Sequence, residues 1–144
     1  MKWTAKARGK VGGGVLLALL GAGIPALVGA LQGPVGESYH ETRLYFGTQR
    51  AGGGEVREQE FAAFLDRVVT PAFPEGLTLH EGRGQWRERD GDLVRERSYE
   101  LVLLYPESEA EERNARVERI RREYRRTYDQ DSVGRSDDQV KVDF

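Results

Sequence analysis

Cysteine is absent from the 144 residues, and histidine occurs only at His40 and His80. The first absence excludes a disulfide framework, a thiol nucleophile and a cysteine-linked lipid anchor. The second, with no cysteine to help, leaves too few ligands for a structural zinc site. Common catalytic signatures are missing as well. Gly36-Glu37-Ser38-Tyr39-His40 approaches a nucleophile elbow but lacks its final glycine. No His-Glu-x-x-His occurs, and Gly52-Gly53-Gly54 is not followed by the Gly-Lys-Ser/Thr of a phosphate loop. Asp129, Asp131, Gly134 and Asp137 fall at four positions of a calcium loop, but Val140 stands where the bidentate acid belongs. The residues therefore indicate no metal, no cofactor and no catalytic set.

Acidic side chains are missing from the first 36 residues. Lys2, Lys6, Arg8 and Lys10 precede an uncharged run over residues 11–31. A basic segment followed by an apolar one has the pattern of a secretory signal, and Val28-Gly29-Ala30 supplies small residues for cleavage. The alternative is an uncleaved inner-membrane anchor, since a span needs roughly 20 apolar residues. Glycines at 12, 13, 14, 21, 23 and 29, with Pro25, weaken that alternative. Both readings place the remainder outside the cytoplasm, periplasmic or secreted. Residues 1–30 are read as the signal or anchor, 31–40 as a linker and 41–144 as one domain. Without the four leader cations, 18 of the 22 basic residues remain against 24 acidic ones, a charge of −6. Such a balance argues against nucleic acid as a partner.

Along the domain, Thr42, Leu44, Phe46 and Thr48 alternate with Arg43, Tyr45 and Gly47 and predict a first strand over Glu41–Thr48. The glycine-rich stretch from Gln49 to Glu55 predicts a flexible loop. Phe61, Phe64, Leu65 and Val68 form one helical stripe from about Arg57, and Pro71 is expected to end the helix at Thr70. Leu77 opens a second strand, which Gly82 and Gly84 interrupt through a bulge or a close approach, and Trp86 resumes apolar contact. Asp90-Gly91 marks a hairpin into a third strand, Leu93 to Tyr105, whose second half is apolar enough for burial on both faces. Ser108 with Glu111 forms a capping box. The second helix then runs to about Tyr128, burying Ala110, Val117, Ile120, Tyr124 and Tyr128. Glu109–Arg113, Glu112–Arg116 and Glu118–Arg122 have favourable i, i+4 spacing. After a polar connection over Asp129–Asp138, Val140, Val142 and Phe144 alternate as a fourth strand. The order β-α-β-β-α-β predicts an α+β, ferredoxin-like sandwich: a four-stranded antiparallel sheet, strands 1 and 3 central, both helices on one face.

Particular residues carry a resemblance. Val69-Thr70-Pro71, Phe73-Pro74, Gly76-Leu77-Thr78, Gly84-Gln85-Trp86, Arg97-Ser98 and Gln130-Asp131-Ser132-Val133 resemble the bacterial family catalogued as domain of unknown function 3574. The resemblance covers about residues 40–144. It implies an uncharacterised domain whose members look exported or lipid-anchored. It carries over no catalytic residue.

The polar residues of these segments are the candidate ligand-binding set: Gln85, Trp86, Arg97, Ser98, Gln130 and Ser132. A pocket beside Trp86 is the expected site if they converge. The bland alternative makes Trp86 a core residue and leaves Gln130 and Ser132 to cap the second helix. Two functional classes follow. One is a non-catalytic extracytoplasmic module that binds a small molecule or a protein, with a homodimer through the open sheet face as one form. The other is a small-molecule enzyme of dimeric α+β-barrel type, its cavity between helices and sheet, with Arg97, Gln85 or His80 in a buried cluster. An uncleaved leader would add a membrane tether through residues 11–31.

Overall fold

The computed structural model describes residue 33 and residues 35–144. The expected signal or anchor, residues 1–30, lies outside the described residues. Four strands and two helices follow in the expected order. β1 spans Glu37–Gly47, α1 begins as Glu58–Phe64, β2 spans Thr78–Arg87, β3 spans Leu93–Pro106, α2 spans Ala110–Tyr128 and β4 spans Gly134–Val142. The strands form one antiparallel sheet in the order β2-β3-β1-β4, so β1 and β3 are central. This is the ferredoxin-like arrangement.

One side of the sheet carries the core. Leu44 and Phe46 from β1, with Tyr99, Leu101, Leu103 and Tyr105 from β3, are buried against Phe61 and Phe64 of α1 and Val117, Ile120, Tyr124 and Tyr128 of α2. Strand period two and helix period near 3.6 deliver these residues to a common layer. Aromatic rings dominate it: Phe61 stacks on Tyr99 at 3.9 Å between centroids, and Phe46 meets Tyr124 edge-on at 4.7 Å. Tyr124 donates its hydroxyl hydrogen to the Gly47 carbonyl, and Tyr128 donates to Glu60. Each ring thus buries its body and satisfies its polar end.

Several local expectations give way to tertiary structure. Pro71 does not end the first helix. A π-helical turn, Leu65–Val69, is followed by a last turn, Thr70–Ala72, and Thr70 keeps a helical backbone. The wider turn starts a new helical segment, in which proline needs no amide hydrogen. At Ser108 no capping box forms. A 3-10 turn, Glu107–Glu109, precedes α2, whose start has no side-chain cap. Half of that arrangement stands at α1 instead, where the Arg57 backbone N–H donates to the Glu60 carboxylate at 3.0 Å, while the Glu60 N–H donates to the Arg57 carbonyl. Glu118 pairs with Arg121 and with Arg135 of β4 rather than with Arg122, because β4 brings a second cation to it.

β1 begins at Glu37, inside the expected linker, and β4 begins at Gly134, inside the expected connection. Both extensions are edge pairing, β1 against β4 from Glu37↔Val142 to Tyr45↔Gly134. Their charged outward residues concealed the strand period. The Gln49–Glu55 loop is held closed. Gln49 bridges to Glu55, and the Ala51 and Gly52 amides donate to the backbone and carboxylate of Asp129. Phe144 is 93% exposed, one edge of its ring on Tyr39, so the chain end lies beside the sheet rather than in it.

Candidate functional site

The second half of β3 is buried on one face only. Val102 and Leu104, which alternate with the core residues, are half-buried on a sheet face that no helix covers. On this open face the strand registers set small residues side by side. Gly82 of β2 pairs with Ser98 of β3, and Ser98 pairs with Gly47 of β1. Gly84 lies one step along β2, opposite Glu96, and Gly134 of β4 lies opposite Tyr45. No bulge interrupts β2 at its glycines. A side chain at Gly82 would meet the Ser98 hydroxyl at 3.3 Å, and one at Gly84 would meet the Glu96 Cγ at 3.2 Å. The close approach comes from neighbouring side chains leaning over bare backbone.

This row of small residues is the floor of a trough with a cavity volume of about 1010 Å³. Ligand sites are typically roughly 300–1,000 Å³. Trp86 and Tyr45 stand along it, 38% and 44% exposed. The β1–α1 loop, through Gln49, Arg50, Ala51 and Gly53, and the α2–β4 loop, through Gln130, Asp131 and Ser132, also line it. The two loops are joined by Gln130, whose side-chain amide donates to the Gln49 carbonyl at 2.7 Å.

Charge in the trough is ordered. Glu96 Oε2 accepts from two successive backbone amides, Thr48 and Gln49, each at 2.6 Å. Glu100 accepts from Arg43 at 3.0 Å and faces His80 Nδ1 at 3.3 Å. Arg43, with His80 second, holds the Glu100 carboxyl below the ordinary carboxylate range. Arg43 in turn donates to Glu41, and the two carboxylates push its guanidinium further toward the charged form. A chain of paired polar and charged side chains, His80, Glu100, Arg43 and Glu41, therefore crosses β2, β3 and β1 beside the glycine row.

Four of the six sequence-predicted residues meet here: Trp86, Ser98, Gln130 and Ser132. Trp86 is exposed, not core. The other two lie on the opposite side of the sheet, as their strand parity requires. Gln85 accepts from Arg95 at 3.0 Å, and Arg97 pairs with Glu81 and Glu58 at 3.3 and 3.4 Å. Arg97 belongs to no buried cluster, since its side chain is 39% exposed. The space between helices and sheet, where the barrel-type reading put a cavity, is filled by the aromatic core. Tyr45, Gly47, Glu96 and Glu100 were missed by sequence reasoning. Gly47, Gly82 and Gly84 were the available signal, because glycine is disfavoured in strands. Their convergence depends on registers that the sequence does not display. Among the described residues no group of three or more His, Asp or Glu could hold a metal ion.

The profile of the family described as protein of unknown function, DUF3574, matches residues 41–144. The chain belongs to this family. The match spans the whole folded domain from the fifth residue of β1 onward and includes every residue of the trough. No curated protein sequence matches the chain. Among solved structures, it is similar to a phage SAM lyase in complex with S-methyl-5′-thioadenosine, at 16% identity and a TM-score of 0.56, covering 77% of this chain and 95% of that one. A phage SAM lyase in the apo state is similar at 15% identity and a TM-score of 0.53, covering 78% of this chain and 97% of that one. At these identities the likeness is one of fold.

Proposed function

We propose that this DUF3574 member is a non-catalytic, extracytoplasmic small-molecule-binding domain whose ligand lies in the trough of the open sheet face. The observation that carries the reading is the Gly82–Ser98–Gly47 row, a bare floor beside the exposed rings of Trp86 and Tyr45. Three small residues abreast in a sheet forgo side-chain packing and β-propensity, and a planar ligand laid across them would recover that contact. In the trough Glu100 is paired with Arg43 and His80, and one oxygen of Glu96 takes two backbone amides, an arrangement suited to orienting a ligand. Export rests on the basic and apolar leader. No helix among the described residues is long and apolar enough to cross a membrane.

A second reading, a SAM-directed lyase, is favoured by one observation, the fold shared with a phage SAM lyase that holds S-methyl-5′-thioadenosine. One titration addresses both. Amide NMR of the full chain with S-methyl-5′-thioadenosine should shift Gly47, Gly82, Ser98 and the Trp86 indole. Gly82→Val should remove those shifts without lowering the melting temperature, because it fills the floor with a strand-favouring side chain. Absence of trough shifts with this nucleoside and with a fragment library would overturn the binding reading. Turnover of SAM, followed by chromatography, would move the conclusion to the lyase.

A further inference from the structure

Glu96 is the side chain around which the trough floor is shaped. Its carboxylate lies flat on the open face, above Gly47 and Gly84. A Cβ at Gly47 would come within 2.6 Å of Oε1, so glycine there leaves room for the carboxylate. The two oxygens are used differently. Oε2 takes both backbone amides at the end of β1, whereas Oε1 has no hydrogen-bond partner among the described residues. A brace for the two amides needs only one oxygen. The other is left as an acceptor in the trough.

The neighbouring carboxylate already has a cation beside it. Glu100 has Arg43 and His80. Glu96 has no ion-pair partner among the described residues. Covering an ionised carboxylate with a ligand that brings no positive charge is costly, because its hydration is lost without compensation. The exposed rings of Trp86 and Tyr45 add to the preference, since aromatic faces attract cations. We propose that the ligand of the trough carries a positive charge and that Glu96 Oε1 receives it. The class is a compact or planar organic cation, such as an N-methylated heteroaromatic ring, a quaternary ammonium or a sulfonium. The inference rests on the trough being the binding site.

Binding of 1-methylnicotinamide and of nicotinamide, two rings of nearly equal shape that differ in charge, tests it by amide NMR on the full chain. The cation should bind at least about tenfold more tightly, the size expected of a partly desolvated charge and ring contact. Glu96→Gln should erase that preference. It should keep the fold, because the glutamine carbonyl still accepts from Thr48 and Gln49. Equal affinities in the wild type, or a preference that survives in Glu96→Gln, overturn the charge assignment. Trough shifts with S-methyl-5′-thioadenosine but with neither pyridine probe also overturn it and leave the trough reading standing. If none of the three compounds shifts a trough residue, both readings fall. Should Glu96→Gln unfold, the wild-type pair decides alone.

Discussion

The two faces of this sheet are built from the same four strands by opposite rules. On the helix side, β1 and β3 present mainly large apolar and aromatic residues, and the buried layer is mostly hydrocarbon and ring, with Thr42, Thr48 and Arg113 as its buried polar members. On the open side, the same strands present glycine, serine, paired charges and two exposed rings. The covered face holds the domain together, since burying apolar area is the main favourable term in folding. The open face contributes less to stability and keeps a concave surface that folding did not fill. That division teaches where substitutions should cost stability and where they should cost binding.

The sharpest way to break the comparison is Phe46→Ala. Phe46 is fully buried and touches Phe61, Phe64 and Tyr124. Its truncation should cost about 3–5 kcal/mol and lower the melting temperature by roughly 15 °C or more, measured by calorimetry. Next is Arg113→Ala. This cation is buried at the edge of the core, bound to Glu75 and Glu109 and set over the Phe73 ring at 5.4 Å. Loss of its packing and hydrogen bonds should cost about 2 kcal/mol in a urea titration. Arg113→Met should recover part of it, because Glu75 and Glu109 stay hydrated once released.

Tyr124→Phe sharpens the comparison at the point where the faces communicate. The hydroxyl donates directly to the backbone carbonyl of Gly47, the residue whose other side is the trough floor. Its removal should cost about 1 kcal/mol. The smallest stability effect should come from Trp86→Ala, about 0.5 kcal/mol or less, while trough binding falls strongly. If Trp86→Ala proves as destabilising as Phe46→Ala, the open face is part of the core and the division is wrong.

Acid provides a test on the β4 edge. Burial opposes ionisation of Asp137, but its bonds to Arg135 and Thr42 outweigh that and hold the carboxyl below the ordinary range. A folded pKa below the unfolded one means that the stabilisation is present above the ordinary carboxylate pKa. It is lost as pH falls through the lower, folded value. Melting temperature should therefore decline below about pH 4, and Asp137→Asn should flatten that part of the profile. An unchanged acid limb in the variant would place the loss at other carboxylates.

Much of the fold was legible because its signals are local. Thr42, Leu44 and Phe46 alternate, Val117, Ile120, Tyr124 and Tyr128 repeat with helical spacing, and Asp90-Gly91 marks the hairpin. Register between distant strands leaves no such mark. Trp86, Ser98, Gln130 and Ser132 could be nominated together, and strand alternation alone parts Gln85 from Trp86 and Arg97 from Ser98, yet nothing local showed which of the two sides would stay open. Glu96 and Glu100 read as ordinary strand charges until Gly47, Gly84, Arg43 and His80 were seen beside them.

By itself the sequence determined the β-α-β-β-α-β order, the faces of β1 and α2, the central places of β1 and β3 and the family. These follow from hydrophobic period, turn chemistry and handed connections, each written within a few adjacent residues. Only tertiary structure decided that Pro71 lies within a helix, that β4 begins at Gly134, and that glycines from three strands line one trough with Ser98. Those outcomes depend on which segments pair across the sheet. The free energy of that pairing belongs to the assembled core, not to any one stretch of chain.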